Sequence, residues 1–309
     1  MGEAILFKST ASRAAVWRRR FAEQLPELAF RVWPEIGDPD DIRYLAAWLL
    51  PDDLDRFHHL EVLFSVAAGV DQFDLARVPA GLPVVRMVEP GLAAGMAEYV
   101  TWAVLSLHRG MQPYLVRQRR GIWREDPVPR AADRRVGVMG MGELGRCALE
   151  RLAPFGFPCR AWSRTPRAVP GVACFAGTDQ LPDFLAGCDI LVCLLPLTPQ
   201  TAGLLDARLF AALPKGAAVV NAGRGGHLVL DDLMAALDAG HLSGAVLDVT
   251  EPEPPAAGHP LWEHEHVWLT PHIASSSEAE GGAAAVIANI RRHRAGETLL
   301  GLIDRRQGY

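Results

Sequence analysis

The run VGVMGMGELGRCALERL, residues 136–152, decides how the rest of the chain is read. It opens with apolar residues of strand character, passes through Gly140, Gly142 and Gly145, and continues with apolar positions at helical spacing. A strand that ends in G-x-G-x-x-G and opens a helix is the phosphate-binding turn of a dinucleotide-binding βαβ unit. The first glycine permits the tight turn, the second lets the backbone approach a pyrophosphate, and the third lets helix and strand pack closely. The anion then rests on free N–H groups at the positive end of the helix. Met141, Glu143 and Leu144 complete the turn, so residues 140–145 are all candidate cofactor contacts.

Downstream, the apolar runs CRAWS, DILVCLLP, AAVVNAG, GAVLDV and VWLTP alternate with helix-like stretches at 144–153, 207–213 and 231–237. Upstream, AILF, AFRVW, YLAAW, LEVLFSV and PVVRM form a second such series, with a helix-like stretch at 11–25. Short apolar runs separated by helices predict parallel sheets built from βαβ units. Residues 98–120 read as one long helix, 121–135 as a polar connection, and 278–294 as a last helix. The expected fold class is α/β with two Rossmann-like domains. A flavodoxin-like substrate domain takes residues 1–99 and 280–309, and a dinucleotide-binding domain with a parallel sheet takes 100–279. Two chain crossings, near Glu98 and Ser276, predict a hinge that closes on substrate.

Bulk properties narrow the class. The chain has 309 residues, half of them hydrophobic, with a net charge of -5. That balance argues against nucleic acid as a partner. The basic runs at 18–20, 117–120 and 291–294 read as solvated helix faces. Five cysteines without a CxxC pair read as reduced, buried thiols of a cytoplasmic protein. The start MGEAILFK lacks signal-peptide character, and no apolar run reaches the roughly 18 residues of a membrane span.

The strand CRAWS ends where an NAD-binding protein places an acidic residue for the ribose 2′-hydroxyl. Here stand Ser163, Arg164 and Thr165, with Arg167 nearby. An arginine there can pair with a 2′-phosphate or stack on the adenine. Charge-assisted pairing favours the phosphate, so NADPH (NADP) is expected over NADH.

A second cluster lies in LDVTEPEPPAAGHPLWEHEHVWLTPHIAS, residues 247–275, which holds five acidic residues and four histidines. With NAGRGG it places Arg224, Asp248, Glu253 and His272 at predicted strand ends, where open α/β sheets bind ligands. His264 and His266, flanked by Glu263 and Glu265, lack a full ligand set of known spacing, so no metal is expected and they read as solvated.

The set GMGELG, LPLTPQT, NAGRGG, LDVTEPEP and TPHIA resembles the D-isomer-specific 2-hydroxyacid dehydrogenase family across essentially the whole chain. Within it the chain is most similar to the glyoxylate/hydroxypyruvate reductase A group, through GFPCRAWSR, the position of Trp48 and the tail IDRRQGY. The resemblance implies that His272 is the acid/base, Glu253 its carboxylate partner, and Arg224 the residue that binds the substrate carboxylate and polarises the keto oxygen. It implies backbone contacts to that carboxylate from Ala68 and Gly69, and a pocket wall at Trp48. It adds Leu195, Pro196, Ala222, Asp248, His272 and Ala274 to the cofactor contacts, with Asp248 on the nicotinamide carboxamide. Between Glu251 and Glu253, only the family offset of five residues from Asp248 chooses.

These residue types suit hydride addition to a 2-keto acid. Negative charge grows on the carbonyl oxygen, which a protonated imidazole can neutralise and an arginine can stabilise. A neighbouring carboxylate favours the charged imidazole. The implied reaction is NADPH-dependent reduction of glyoxylate and hydroxypyruvate to glycolate and D-glycerate by a cytoplasmic homodimer, with the helix from Glu98 onward as the contact. The rivals are another family member with a different substrate, and a catalytically silent cofactor sensor of the same fold.

Overall fold

Most of the strands that read as apolar runs are buried on both faces, as parallel sheets covered by helices require, while the edge runs AFRVW and VWLTP are only partly buried. The computed structural model describes residues 2–306, so the last three residues of the tail cue lie outside the described residues. Two compact units emerge: Met1–Leu92 with Ser276–Tyr309, and Ala93–Ser275.

The first unit begins with β1 (Ala4–Lys8), α1 (Ala11–Gln24), β2 (Ala29–Val32), β3 (Ile42–Ala47), β4 (Val62–Ser65) and β5 (Val84–Val85). The chain then enters α2 (Pro90–His108) and α3 (Met111–Arg119). The second unit continues with β6 (Val136–Met139), α4 (Glu143–Leu152), β7 (Cys159–Ser163), β8 (Ala173–Ala176) and α5 (Leu181–Leu185). After these come β9 (Ile190–Cys193), α6 (Ala207–Ala212), β10 (Ala217–Asn221), α7 (Leu230–Asp238), β11 (Leu242–Leu247) and β12 (Val267–Leu269). The last helix, α8 (Ala279–Arg294), belongs to the first unit.

The first unit holds a five-stranded sheet in the order β2-β1-β3-β4-β5, and the second a seven-stranded sheet in the order β12-β11-β10-β9-β6-β7-β8. All neighbouring strands are parallel. The first order is flavodoxin-like and the second is the dinucleotide-binding order extended by β12. Strand order reverses between β6 and β9, the switch point at which such sheets bind ligands.

Period-two alternation sorts the second sheet's side chains onto two faces. Val136, Val138, Ile190, Val192, Ala218, Val220 and Val246 pack with Ala148, Leu149 and Leu152 of α4. Met139, Leu191, Cys193, Val219, Ala245 and Leu247 pack with Phe184, Phe210, Leu233 and Leu237. In the first unit, α1 buries Ala14, Trp17 and Phe21, a stripe at helical spacing. The rings of Trp17 and Phe7 lie 4.6 Å apart, tilted by 43°. A fully buried large apolar side chain such as Phe21 stabilises the fold by about 1.5–3 kcal/mol.

Some expectations change. The stretch 98–120 is two helices, because Gly110 takes φ 62 between them. α2 starts at Pro90, eight residues before Glu98, since a proline in the first turn gives up no intrahelical hydrogen bond. The edge strand β8 and the short α5 add to the expected elements: β8 is only partly buried and lies in the short apolar run at 172–176 between two glycines. Not all the thiols are buried: Cys147 and Cys174 are half-buried, while Cys159, Cys188 and Cys193 are buried and all five are free. Burial pushes the Cys188 and Cys193 thiols up to about 12. The basic runs are paired rather than merely solvated, with Arg19 and Arg20 on Glu280 and Arg294 on Glu3 and Glu27. No helix among the described residues is long and apolar enough to cross a membrane.

Candidate active site

The glycine turn sits at the switch point. Gly140 has φ 108, which L side chains rarely adopt, and a Cβ there would lie 2.7 Å from the Leu194 carbonyl oxygen beyond β9. A Cβ on Gly145 would lie 1.8 Å from the Gly140 carbonyl oxygen. Gly142, by contrast, faces open space immediately before α4. The turn is therefore packed on its inner sides and open where the first N–H groups of a ten-residue helix emerge. That cradle fits the pyrophosphate of a dinucleotide. Met141 and Leu195 are buried beside it, and Pro196 is held by the Thr201 hydroxyl, which donates to its carbonyl at 2.7 Å.

β7 ends at Ser163, whose hydroxyl donates to the Thr165 carbonyl at 2.7 Å and closes the following turn. Arg164 and Thr165 are exposed there, with no acidic side chain among residues 163–167. Arg167, noted in the sequence only as a neighbour, folds back and donates to the Met141 carbonyl at 2.8 Å. Its guanidinium thus lies against the glycine turn itself.

The turn after β10 carries Arg224. Buried Asn221 donates to the Arg224 carbonyl at 3.0 Å and accepts from the Gly223 N–H at 3.2 Å. The Ala222 N–H donates to the Cys193 carbonyl of β9 at 3.2 Å. The Arg224 N–H donates to Nδ1 of buried His227 at 3.1 Å, and the Arg224 guanidinium donates to the Gly223 carbonyl at 2.9 Å. A Cβ on Gly225 would lie 2.0 Å from the Thr250 carbonyl oxygen, so this turn backs directly onto the segment after β11. Asn221 and His227 escaped the sequence reading; polar residues flanking the arginine in NAGRGGH were the available signal.

Asp248 is almost fully buried. One carboxylate oxygen accepts from the Thr270 hydroxyl at 2.7 Å and the Ile273 N–H at 2.8 Å, and the other from the Ala274 N–H at 2.8 Å. Its carbonyl accepts from the His272 N–H at 2.9 Å. The loop after β12 is thus wrapped around one aspartate. Within it His272 has φ 54, the one non-glycine residue with positive φ among the described residues. A non-glycine residue in that region costs energy that the surroundings must offset.

His272 Nδ1 lies 2.8 Å from Glu253 Oε1, and their side chains are 35% and 42% exposed. Glu253, not Glu251, is therefore the carboxylate against the imidazole. An ionised carboxylate only accepts, so Nδ1 carries hydrogen and Nε2 is left as the nitrogen that exchanges a proton. The linker histidines stand apart from this pair. His259 accepts from the Leu261 N–H at 3.1 Å, and Glu265 pairs with Arg120. His264 was expected to be solvated, yet its side chain is only 12% exposed, with Nε2 3.4 Å from Asp238. Among the described residues no three His, Cys, Asp or Glu side chains converge to hold a metal.

In the first unit, Trp48 is exposed just beyond β3, and Ala68 and Gly69 lie in the loop after β4. Ser65 organises that loop from a fully buried position. Its hydroxyl donates to the Gly69 carbonyl at 2.7 Å and accepts from the Gln72 amide at 2.8 Å and the Ala67 N–H at 3.1 Å. The Ala67 carbonyl accepts from the Met87 N–H at 2.8 Å. The loop's carbonyls are thereby turned inward. Among the described residues no acceptor meets the N–H of Ala68 or Gly69.

Residues 101–274 match the family model for the D-isomer specific 2-hydroxyacid dehydrogenase NAD binding domain. Glyoxylate/hydroxypyruvate reductase A of Yersinia enterocolitica is 38% identical over 99% of both chains. A D-isomer specific 2-hydroxyacid dehydrogenase from Xanthobacter autotrophicus, solved with NADPH and MES, is 40% identical over the whole of both chains, with a TM-score of 0.95. An NADPH-dependent glyoxylate/hydroxypyruvate reductase from Sinorhizobium meliloti, solved with NADP and sulfate, is 34% identical over 99% of this chain and 100% of that one, with a TM-score of 0.92. Glycine cradle, arginine turn and His–Glu pair thus meet these likenesses in one conclusion: the chain belongs to the D-isomer specific 2-hydroxyacid dehydrogenase family, NAD(P)-dependent oxidoreductases that act on a CH–OH group.

Proposed function

We propose that this enzyme reduces glyoxylate and hydroxypyruvate to glycolate and D-glycerate with NADPH. The observation that carries the reading is the 2.8 Å contact between His272 Nδ1 and Glu253 Oε1, on the same strand-end surface as Arg224. The names of the Yersinia and Sinorhizobium relatives favour these two keto acids, and the NADPH and NADP bound to the solved relatives favour that cofactor.

When bound, the nicotinamide cofactor supplies the hydride. Residues 140–145 would hold its pyrophosphate, with Leu195, Pro196, Ala222, Asp248, His272 and Ala274 along the rest. Ser163, Arg164 and Thr165 would take the ribose 2′-phosphate, since a guanidinium can pair with it and no carboxylate there repels it. Arg224 binds the substrate carboxylate and stabilises charge growing on the keto oxygen. The proton reaches that oxygen from His272 Nε2, while Glu253 holds the ring by Nδ1. In the first unit, the N–H groups of Ala68 and Gly69 share the substrate carboxylate, and Trp48 forms a pocket wall.

Loss of NADPH absorbance with a panel of small 2-keto acids tests this reading. Turnover with glyoxylate and hydroxypyruvate is expected, and no turnover with any of the panel would overturn it. A clear preference for NADH would remove the role given to Arg164. We also propose a cytoplasmic homodimer, joined through α2, α3 and the segment after them. Trp102, Met111, Leu115, Ile122 and Trp123 are exposed there, the last completely. Apolar surface of this kind marks association sites. Light scattering should report a dimer, and Trp123→Glu should shift it toward monomer.

A further inference from the structure

The loop that carries His272 is tied to a residue far from it in sequence. Tyr99 of α2 places its hydroxyl 2.6 Å from the Thr270 hydroxyl, which in turn lies 2.7 Å from Asp248 Oδ1. The direction of this chain follows from proton inventory. The Asp248 oxygens already accept the N–H groups of Ile273 and Ala274, so the Thr270 hydroxyl spends its proton on Oδ1. Its lone pair is then what faces Tyr99, and Tyr99 must donate. Burial pushes the Tyr99 phenol well above its ordinary value, so it keeps that proton throughout the working range. The tyrosine ring is fixed against Trp102, with ring centres 5.3 Å apart.

We propose that Tyr99 and Thr270 are positioning residues that act in series, through Asp248, to hold His272 at its positive φ with Nε2 aimed for proton delivery. Neither touches the imidazole. What they hold is the aspartate around which residues 272–274 fold. A buried carboxylate that loses one donor can turn, and the backbone N–H groups hung on it turn with it. The inference rests on His272 being the acid/base. It goes further in assigning the orientation of that side chain to a tyrosine that no site motif contains.

The test uses the full-length enzyme with NADPH and glyoxylate. Thr270→Val keeps the shape and removes the hydroxyl. It should lower kcat about tenfold or more while leaving the keto-acid KM within about twofold. Thr270→Ser should restore kcat to within about twofold of the parent, because the hydroxyl is regained. Tyr99→Phe removes only a hydroxyl, keeps the ring packing and should lower kcat about threefold. Because the two act in series, Tyr99→Phe in the Thr270→Val background should add nothing, whereas independent packing losses would multiply. Wild-type kcat in Thr270→Val, or multiplicative losses in the double variant, would overturn the proposal. His272→Ala separates the two readings. Activity lost there but intact in Thr270→Val sinks the positioning role alone, whereas activity surviving in His272→Ala sinks the acid/base reading and the positioning role with it.

Discussion

The turn after β6 and the turn after β12 occupy ends of the same parallel sheet, and each contains a residue with positive φ, 108 at Gly140 and 54 at His272. They reach that state by opposite means. The first is built by leaving side chains out: of three glycines within six residues, Gly140 and Gly145 bring backbone onto backbone at distances a Cβ would forbid, and Gly142 leaves the mouth of the turn open. The second is built by bringing side chains in. Asp248, Thr270, Tyr99 and Glu253 come from three separate stretches and over-determine a conformation that histidine alone would avoid. A cradle for a bulky anion needs space and N–H groups, so glycine serves. A proton donor needs one nitrogen aimed in one direction, which only a network of partners can enforce.

Breaking the second turn at its functional atom should have the largest effect. His272→Ala is expected to lower kcat by roughly a thousandfold, within the range for a lost general acid, with NADPH affinity nearly unchanged. Stopped-flow turnover beside fluorescence titration of NADPH checks both halves. Gly145→Ala breaks the first turn instead. Its added methyl meets the Gly140 carbonyl, so the turn must shift. A loss of about 2–3 kcal/mol of stability and a rise of tenfold or more in the NADPH Kd are expected, by denaturant titration and binding. The two variants thus dissociate: one spares cofactor binding and the other does not.

Finer substitutions sharpen the contrast. Glu253→Gln keeps a hydrogen-bond acceptor near Nδ1 but removes the charge, and should lower kcat about tenfold with KM little changed. Arg164→Ala should lower the preference for NADPH over NADH about tenfold, read as the ratio of the two kcat/KM values. The smallest effect is expected remote from both turns. Burial pushes the Asp189 carboxyl up, but hydrogen bonds from the Arg135 side chain and backbone outweigh this and hold it below its ordinary range. A depressed folded value contributes stability that is present above the unfolded value of about 3.9 and lost as the pH falls through the folded value. Asp189→Asn should therefore cost under about 1 kcal/mol at neutral pH and nothing below the folded value, measured by urea titration across pH.

How much was legible follows the same division. The glycine turn could be read from residues 140–145 alone, because its constraints act between neighbours in sequence. So could the strand ends bearing Arg224, Asp248 and His272, since buried parallel strands announce themselves as apolar runs. The choice between Glu251 and Glu253 could not be made from local chemistry, as both are exposed carboxylates in one proline-rich segment. The half-exposed edge strand β8 offered only the short apolar run at 172–176 between two glycines, and the break at Gly110 sits inside a stretch whose apolar positions keep helical spacing on either side of it. Tyr99 offered no signal at all. It lies in a largely apolar helix where an aromatic residue reads as core, and its hydroxyl acquires a role only by meeting Thr270.

By itself, then, the sequence determined the parallel α/β architecture, the phosphate cradle and the residue types of the acid/base pair. Those follow from periodicity, missing Cβ atoms and the chemistry of imidazole and carboxylate. Tertiary structure alone decided which glutamate meets His272, that Arg167 returns to the glycine turn, and that Asp248 gathers residues 270–274 around its oxygens. The physical reason is directional. Hydrogen bonds depend on angstrom-scale placement of groups far apart in the chain, whereas burial and backbone freedom are already written in each short stretch.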